Sequence, residues 1–392
     1  MLVHVFNSTV VSGPETLVIP SLPSLGTPVI VVFLCERRRE ADCLRAVEYA
    51  KSFGIKTQEV WVQSRYDKNA IRELSQVFEN LNPSLIHSHD VKASTYTMKA
   101  SQISEKSGRR TWKLISTHHG VRGRSGIKIK AYEWFYTHSV LPKFDRVLAV
   151  CTSDQKLLVN RGLKSNRVIA HLNGADRTPV APKQLQGIRS KIRNSWGLTD
   201  LGINDDTLLI GFVGRLSPEK RMNRILKICS LIEQKYQDLP QWKLVVFGSG
   251  ALDSELKQIA HSFKLTDRVL WMGYRAGLGN ELAGFDIVIS MSDAEGLPVN
   301  LVEAGWGGVP VFATQVDGNL DLMPTPDLGV LVNVHESDEK IANQLVDLLK
   351  NQTRRESIGR AFQKRVMLEF SGQRWRENLL QIYKNVALEG QK

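Results

Sequence analysis

Ser290-Met-Ser-Asp-Ala-Glu295-Gly-Leu-Pro-Val-Asn-Leu-Val-Glu303-Ala-Gly-Trp-Gly-Gly-Val-Pro310-Val-Phe-Ala-Thr314 decides the fold. It leaves an apolar, strand-like run from Phe285 to Ser290 and crosses a Gly/Pro turn into a helical segment. It ends in a second apolar run from Val309 to Ala313. One strand–loop–helix unit thus delivers two carboxylates, Glu295 in the loop and Glu303 about two turns into the helix. In an open α/β sheet, ligands bind beyond the carboxyl ends of the strands, where such loops gather. Carboxylates there can accept hydrogen bonds from ligand hydroxyls, and the free amides of the helix start can hold polar or anionic groups. Two glutamates eight residues apart are ordinarily solvated surface charges, so the flanking residues carry the argument.

Working upstream, Gly211-Phe-Val-Gly-Arg215-Leu-Ser-Pro-Glu-Lys220 is a strand end followed by a basic loop. Trp242-Lys-Leu-Val-Val-Phe-Gly248-Ser-Gly250 and Val269-Leu-Trp-Met-Gly273-Tyr-Arg275 are two further strand-and-turn blocks. In this order the four blocks resemble the retaining GT-B glycosyltransferases of the GT4 family. Glu295 and Glu303 match its E-x7-E signature, and Arg215 with Lys220 its G-R-x-x-x-x-K diphosphate clamp. The resemblance implies two Rossmann-like doubly wound domains facing a cleft, a nucleotide diphosphate sugar as donor, and a glycan or lipid-linked acceptor. It assigns Arg215 and Lys220 to the leaving diphosphate, which cations stabilise without a metal. Glu303 is assigned to the ribose. Glu295 and the amides of Gly296 and Leu297 go to the transferred sugar, while Pro298 has no N–H to give. Gly214 belongs to the clamp, and Gly273 with Tyr274 to the loop that passes the nucleobase. No metal or other cofactor is expected.

The remaining chain alternates strand and helix patterns. Val29–Leu34 is a continuous β-branched run, as in a parallel strand buried on both faces. Helices are expected over 41–53 and 69–81, the second ended by Asn82-Pro83, with strands at 57–62, 85–89, 114–117 and 146–151. Repeated βα units imply a parallel sheet. The pattern breaks near Asn173-Gly-Ala-Asp176. The polar, basic stretch 177–200, with two prolines, is expected to be a linker between an N-terminal domain (1–176) and a C-terminal domain (201–372). The amphipathic 373–392 segment is expected to return to the N-terminal domain, as the resemblance implies.

Composition agrees with a soluble two-domain protein: 392 residues, 42% hydrophobic and 23% charged. No apolar run approaches the roughly 18 residues of a membrane span. The start, Met1-Leu-Val-His-Val-Phe-Asn, reads as a strand and lacks a signal peptide's basic flank. Cys35, Cys43, Cys151 and Cys229 are scattered, which argues against a disulfide framework or zinc site and for a reducing cytoplasm. The net charge of +12 admits an anionic substrate, an anionic membrane surface or nucleic acid. No groove-reading element or stacking platform speaks for nucleic acid. Arg122, Arg124, Lys128 and Lys130 lead into Ala131-Tyr-Glu-Trp-Phe-Tyr136, a basic and aromatic segment suited to the inner face of a membrane, or equally to an exposed helix face over core aromatics.

In the N-terminal half, Ser116-Thr-His118-His119-Gly120 follows a strand and resembles the family's His-Gly block. His119 is the candidate for the donor-sugar contact, with His118 structural. His87, His89 and Asp90 end another strand, and no third metal ligand is evident beside the two histidines. The first loop, 7–16, sits where the family has a glycine-rich turn, yet keeps only Gly13, followed by Pro14. Two other classes stay open: a GT-B epimerase or hydrolase acting on sugar nucleotides, and a basic binding protein without activity. An NAD enzyme is disfavoured, since no G-x-G-x-x-G follows the first strand.

Overall fold

The computed structural model describes residues 1–7, 11, 13–119, 127–275 and 277–389. The chain divides into two compact units, Met1–Asn173 with Gly372–Lys392, and Gly174–Ser371. Each is an α/β unit around one parallel sheet, the doubly wound class expected.

In the first unit the strands are β1 (Leu2–Phe6), β2 (Val29–Glu36), β3 (Lys56–Val62), β4 (Leu85–His89), β5 (Lys113–His118), β6 (Arg146–Ala149) and β7 (Val168–Ala170). They lie in the order β3-β2-β1-β4-β5-β6-β7. β1 pairs in parallel with β2 (Val3 opposite Ile30) and with β4 (His4 opposite His87). The strand order therefore reverses between β1 and β4. Side chains alternate across the sheet, so each face has its own core. Val3, Val5, Val32 and Leu34 pack with Leu74, Phe78 and Tyr96 on one side. Leu2, Phe6, Val31 and Phe33 pack on the other with Trp375, Leu379 and Tyr383 of the Gly372–Leu388 helix. Burial on both faces is why these strands read as unbroken apolar runs.

The second unit contains β8 (Leu208–Val213), β9 (Trp242–Phe247), β10 (Val269–Gly273), β11 (Ile287–Ser290), β12 (Val311–Thr314) and β13 (Val330–Val332). Their order is β10-β9-β8-β11-β12-β13, with the reversal between β8 and β11. Beyond the sheet, the turns after β8, β9 and β10 are zipped by backbone bonds. Gly214 N–H donates to Phe247 O (3.0 Å), Leu216 N–H to Ser249 O (3.0 Å) and Gly248 N–H to Gly273 O (2.8 Å). Glycine is required at 248 and 250 because a Cβ would run into the backbone of Gly214 and Leu216.

The stretch 177–200 is not a linker. It lies in the second unit and carries the helix Leu185–Ser195. Its basic residues are spent inward. Arg193 Nη2 donates to Asp286 Oδ2 (2.6 Å) and its other nitrogens to the carbonyls of Gly284, Asp205 and Thr207. Arg189 lies 2.8 Å from Asp286 Oδ1. Trp196 packs edge-on to Phe247 and tilted against Phe285. The polar, basic composition suggests a linker, but one carboxylate at the foot of β11 makes two of its arginines structural.

Candidate active site

In doubly wound sheets the crevice opens where strand order reverses, and in both units the candidate residues gather there. In the second unit, β8 runs into Gly214-Arg215-Leu216-Ser217 and a 3₁₀ turn, Pro218–Lys220, while β11 runs into the loop that holds Glu295. The two loops are tied together. Lys220 Nζ lies 2.5 Å from Glu295 Oε1, which also accepts from Ser292 Oγ (2.6 Å). Asp293 N–H donates to Glu219 O (2.9 Å), and Arg221 pairs with Asp293 at 2.6 Å. Arg221 adopts φ 48, a left-handed value rare outside glycine, where the turn breaks into the Met222–Lys235 helix. The side chains of Lys220 and Glu295 are only 20% and 10% exposed. Arg215 is 67% exposed, its nearest acid Glu219 at 3.6 Å. Lys220 is thus seated in a buried ion pair, whereas Arg215 stands largely in solvent.

Gly296 and Leu297 continue the Glu295 loop, Leu297 buried and Gly296 O pressed against Gly318 so closely that no side chain fits there. Pro298 caps the helix Val299–Trp306, and Asn300 Nδ2 donates to Val213 O (2.7 Å), fixing this helix to the end of β8. Glu303 lies just over one turn into that helix, less deep than its sequence position suggested. Its carboxylate accepts from Arg177 Nη2. Burial pushes the Glu303 carboxyl above the ordinary range, and Arg177 pulls it back. Gly273 takes φ 70 at the end of β10, and Tyr274 beyond it is exposed.

In the first unit, the reversal lies between β1 and β4. Asn7 N–H donates to Asp90 Oδ2 (3.1 Å). Asp90 caps the Val91–Lys106 helix through Lys92 N–H (2.7 Å) and Ala93 N–H (2.9 Å), at φ 82. Burial lifts its carboxyl to about 7 despite these bonds. His119 stands just past β5, half-buried, and burial lowers it to about 3, so it is a neutral imidazole. Its Nε2, like His89 Nδ1 and Asn7 Oδ1, is enclosed with no hydrogen-bond partner among the described residues. His118 is buried beside Tyr136. The helix Gly13–Ser21 begins at Gly13. Ser8–Val10, Ser12, Gly120, Arg122 and Arg124 lie outside the described residues, as do the side chains of Lys128 and Lys130.

Sequence reasoning found no third partner for His87 and His89; β1 supplies it. His4, His87 and His89 each bring a ring nitrogen within 4.8 Å of the others, the set among the described residues able to hold an ion. Those nitrogens are already engaged. His4 Nδ1 meets His89 Nε2 (3.0 Å), His4 Nε2 and His87 Nδ1 meet Tyr383 Oη (3.3 and 2.7 Å), and His87 Nε2 meets Thr117 Oγ1 (2.7 Å). Burial holds all three histidines well below the usual imidazole value. The cluster is a neutral hydrogen-bonded chain that fastens the last helix to the sheet. Only the alternation Leu2-His4-Phe6 on one face of β1 signalled it. Nothing in the sequence signalled Arg177, which stood in the supposed linker.

Residues 199–365 match the family Glycosyl transferases group 1, and residues 18–178 match Glycosyltransferase Family 4. The chain is 23% identical over 71% of its length, and 70% of the relative's, to the UDP-Gal:alpha-D-GlcNAc-diphosphoundecaprenol alpha-1,3-galactosyltransferase of Escherichia coli. It is 22% identical to the capsular polysaccharide biosynthesis glycosyltransferase CapM of Staphylococcus aureus, over 83% of each chain. Among solved structures, Anabaena HepE in complex with UDP and glucose superposes with a TM-score of 0.80 at 18% identity, covering 98% of this chain and all of that one (100%). With both sheets, both switch points and these two families in place, the chain is a glycosyltransferase of the GT-B fold.

Proposed function

We propose that the protein is a retaining hexosyltransferase, moving a sugar from a nucleoside diphosphate donor to a hydroxyl of a glycan or lipid-linked acceptor without a metal ion. The observation that carries this reading is the Lys220–Glu295 pair, 2.5 Å apart at the β8/β11 switch point. It puts a cation for the departing diphosphate beside a carboxylate for sugar hydroxyls. Arg215, exposed and loosely held, closes on the phosphate oxygens as a planar fork while Lys220 acts as a point charge. Glu303 accepts from the ribose. The amides of Gly296 and Leu297 serve the sugar, Gly214 the diphosphate, and Gly273 with Tyr274 the base. Neutral His119 offers a hydroxyl contact through Nε2, which has no partner among the described residues. As the bond from the anomeric carbon to the diphosphate breaks, the acceptor oxygen bonds the same face. Its proton passes to the leaving phosphate oxygen, so the configuration is kept. The E. coli and S. aureus relatives, named for a diphosphoundecaprenol-linked acceptor and for a capsular polysaccharide, support an acceptor of that kind.

A thermal-shift panel of UDP, GDP, ADP and their sugars tests the donor class, since a ligand of the folded chain raises its melting temperature. Transfer assayed with the stabilising sugar nucleotide is expected to survive EDTA. Loss of activity in EDTA, restored by magnesium or manganese, overturns the metal-free mechanism. Nucleotide release that needs no acceptor overturns transfer in favour of hydrolysis.

A further inference from the structure

Arg177 enters the second unit in a segment pinned on both sides. Ala175 N–H donates to Phe370 O (2.9 Å) and Ala175 bridges Ser371. Gly174 lies against the backbone of Phe370 and Ser371, where a Cβ would meet Ser371 O at 2.7 Å. So anchored, Arg177 turns Nη1 onto Asp176 O (2.8 Å) and Nη2 onto Glu303 Oε1. Both side chains are largely buried, 26% and 14% exposed. Gly279, in the 3₁₀ turn after β10, completes the arrangement. A methyl group there would overlap both the guanidinium and the Glu303 carboxylate. Glu303 Oε2 has no hydrogen-bond partner among the described residues.

Among the described residues no other charge answers Glu303. Its own helix carries no second ionisable residue. On the 3₁₀ turn Leu278–Gly284, Glu281 is taken by Arg275 and by Trp196 Nε1. On the Gln352–Glu369 helix packed against it, Arg365 is engaged by Glu369 and the carbonyls of Asp321 and Leu322, Arg355 by main-chain carbonyls, and Lys364 is exposed. β12 carries no charge.

We propose that Arg177 is the positioning residue of the nucleotide site. By occupying Oε1 it keeps Glu303 ionised in a buried setting and aims Oε2 at the ribose hydroxyls. This rests on the assignment of Glu303 to the ribose. An isolated carboxylate so buried tends to take up a proton, and a protonated carboxyl is a poorer acceptor for two neighbouring hydroxyls. The segment 174–177 thereby sets nucleotide affinity although it bears no part of the E-x7-E or clamp motifs.

The test is calorimetric titration of whichever of UDP, GDP and ADP the wild-type protein binds, at pH 6 and pH 8, with wild type, Arg177→Met, Arg177→Lys, Glu303→Gln and the Arg177→Met/Glu303→Gln double variant. Loss of a hydrogen-bonded ion pair predicts a Kd raised by about tenfold or more in Arg177→Met. Burial raises the Glu303 carboxyl, so without Arg177 the loss is larger at pH 6 than at pH 8, and wild type is flatter across that range. Arg177→Lys recovers part of the affinity, and the double variant is no weaker than Glu303→Gln alone. A wild-type Kd in Arg177→Met at both pH values, with Glu303→Gln impaired, overturns the proposal. So does a pH-independent loss that lysine does not relieve. An unaffected Kd in Glu303→Gln overturns the ribose assignment instead. Should Arg177→Met fail to fold by circular dichroism, Arg177→Gln carries the same comparison.

Discussion

Lys220 and Arg215 share one motif but not one environment, and they separate under mutation. In the proposed mechanism each supplies positive charge to the leaving diphosphate, so Lys220→Ala and Arg215→Ala are each expected to lower turnover by about two to three orders of magnitude. Stability splits them. Lys220 neutralises a Glu295 side chain that is 10% exposed, so Lys220→Ala costs about 1–3 kcal/mol through the stranded carboxylate. Arg215, two-thirds exposed, leaves stability unchanged. Urea titration beside steady-state kinetics measures both, and equal stability losses would refute the distinction. The glutamates separate as well: Glu303→Ala weakens nucleotide binding by about 1–3 kcal/mol, while Glu295→Ala spares it and damages transfer. Equal losses of free-nucleotide affinity would show the two roles misassigned. Motif residues were legible because their chemistry is written within ten positions of one another. Arg177 and Glu303 are separated by 126 positions, His87 and Tyr383 by 296, and no local pattern marks such a meeting.

At the scale of elements, strands and helices at 29–36, 56–62, 68–81 and 85–89 follow the apolar runs and breakers of the sequence closely. The helix Leu185–Ser195 was hidden because its inner face is arginine rather than leucine. Arg193→Ala removes one of the two arginines paired with buried Asp286 and strands the carbonyls of Gly284, Asp205 and Thr207, at an expected cost of about 3–5 kcal/mol in chemical denaturation, the range for breaking a buried pair. A shift below about 1 kcal/mol would mean that Arg189, already paired with Asp286, suffices to hold it. The His–Tyr chain under the last helix has a pH signature. His4 is lowered to about 3 and His171, bonded to Trp375 O (3.1 Å), to about 4, both by burial. The unfolded chain binds protons at these sites near pH 6.5 and the folded chain does not. Stability is therefore full above pH 6.5 and falls as pH drops from there toward 4, by up to about 1.4 kcal/mol per pH unit for each such histidine. Urea midpoints that do not change between pH 7 and pH 5 would contradict neutral burial of the cluster.

For the whole molecule, charge raises a question the fold leaves open. The chain carries +12, and among the described residues no helix is long and apolar enough to cross a membrane. Arginines 189 and 193 consume part of the excess internally, but Arg122 and Arg124 precede, and Lys128 and Lys130 belong to, an element whose aromatics have divided roles. Tyr136 is buried, and Tyr132 is covered by Arg65 at 4.8 Å. Trp134, 61% exposed on the helix Ile127–Phe135, stacks on His138. An exposed tryptophan after a basic run suits the interface of an anionic bilayer. Each Lys or Arg near such a surface contributes about 1 kcal/mol, and salt screens it within a Debye length of about 10 Å at 0.1 M. The protein is therefore expected to co-sediment with anionic vesicles at low salt and to dissociate at high salt. Glutamine at 122, 124, 128 and 130 abolishes that binding and Trp134→Ala weakens it, both leaving nucleotide affinity intact. Wild-type protein that stays in the supernatant at low salt would detach the charge from the membrane. The acceptor would then be soluble, and the basic surface would serve an anionic glycan or the donor itself.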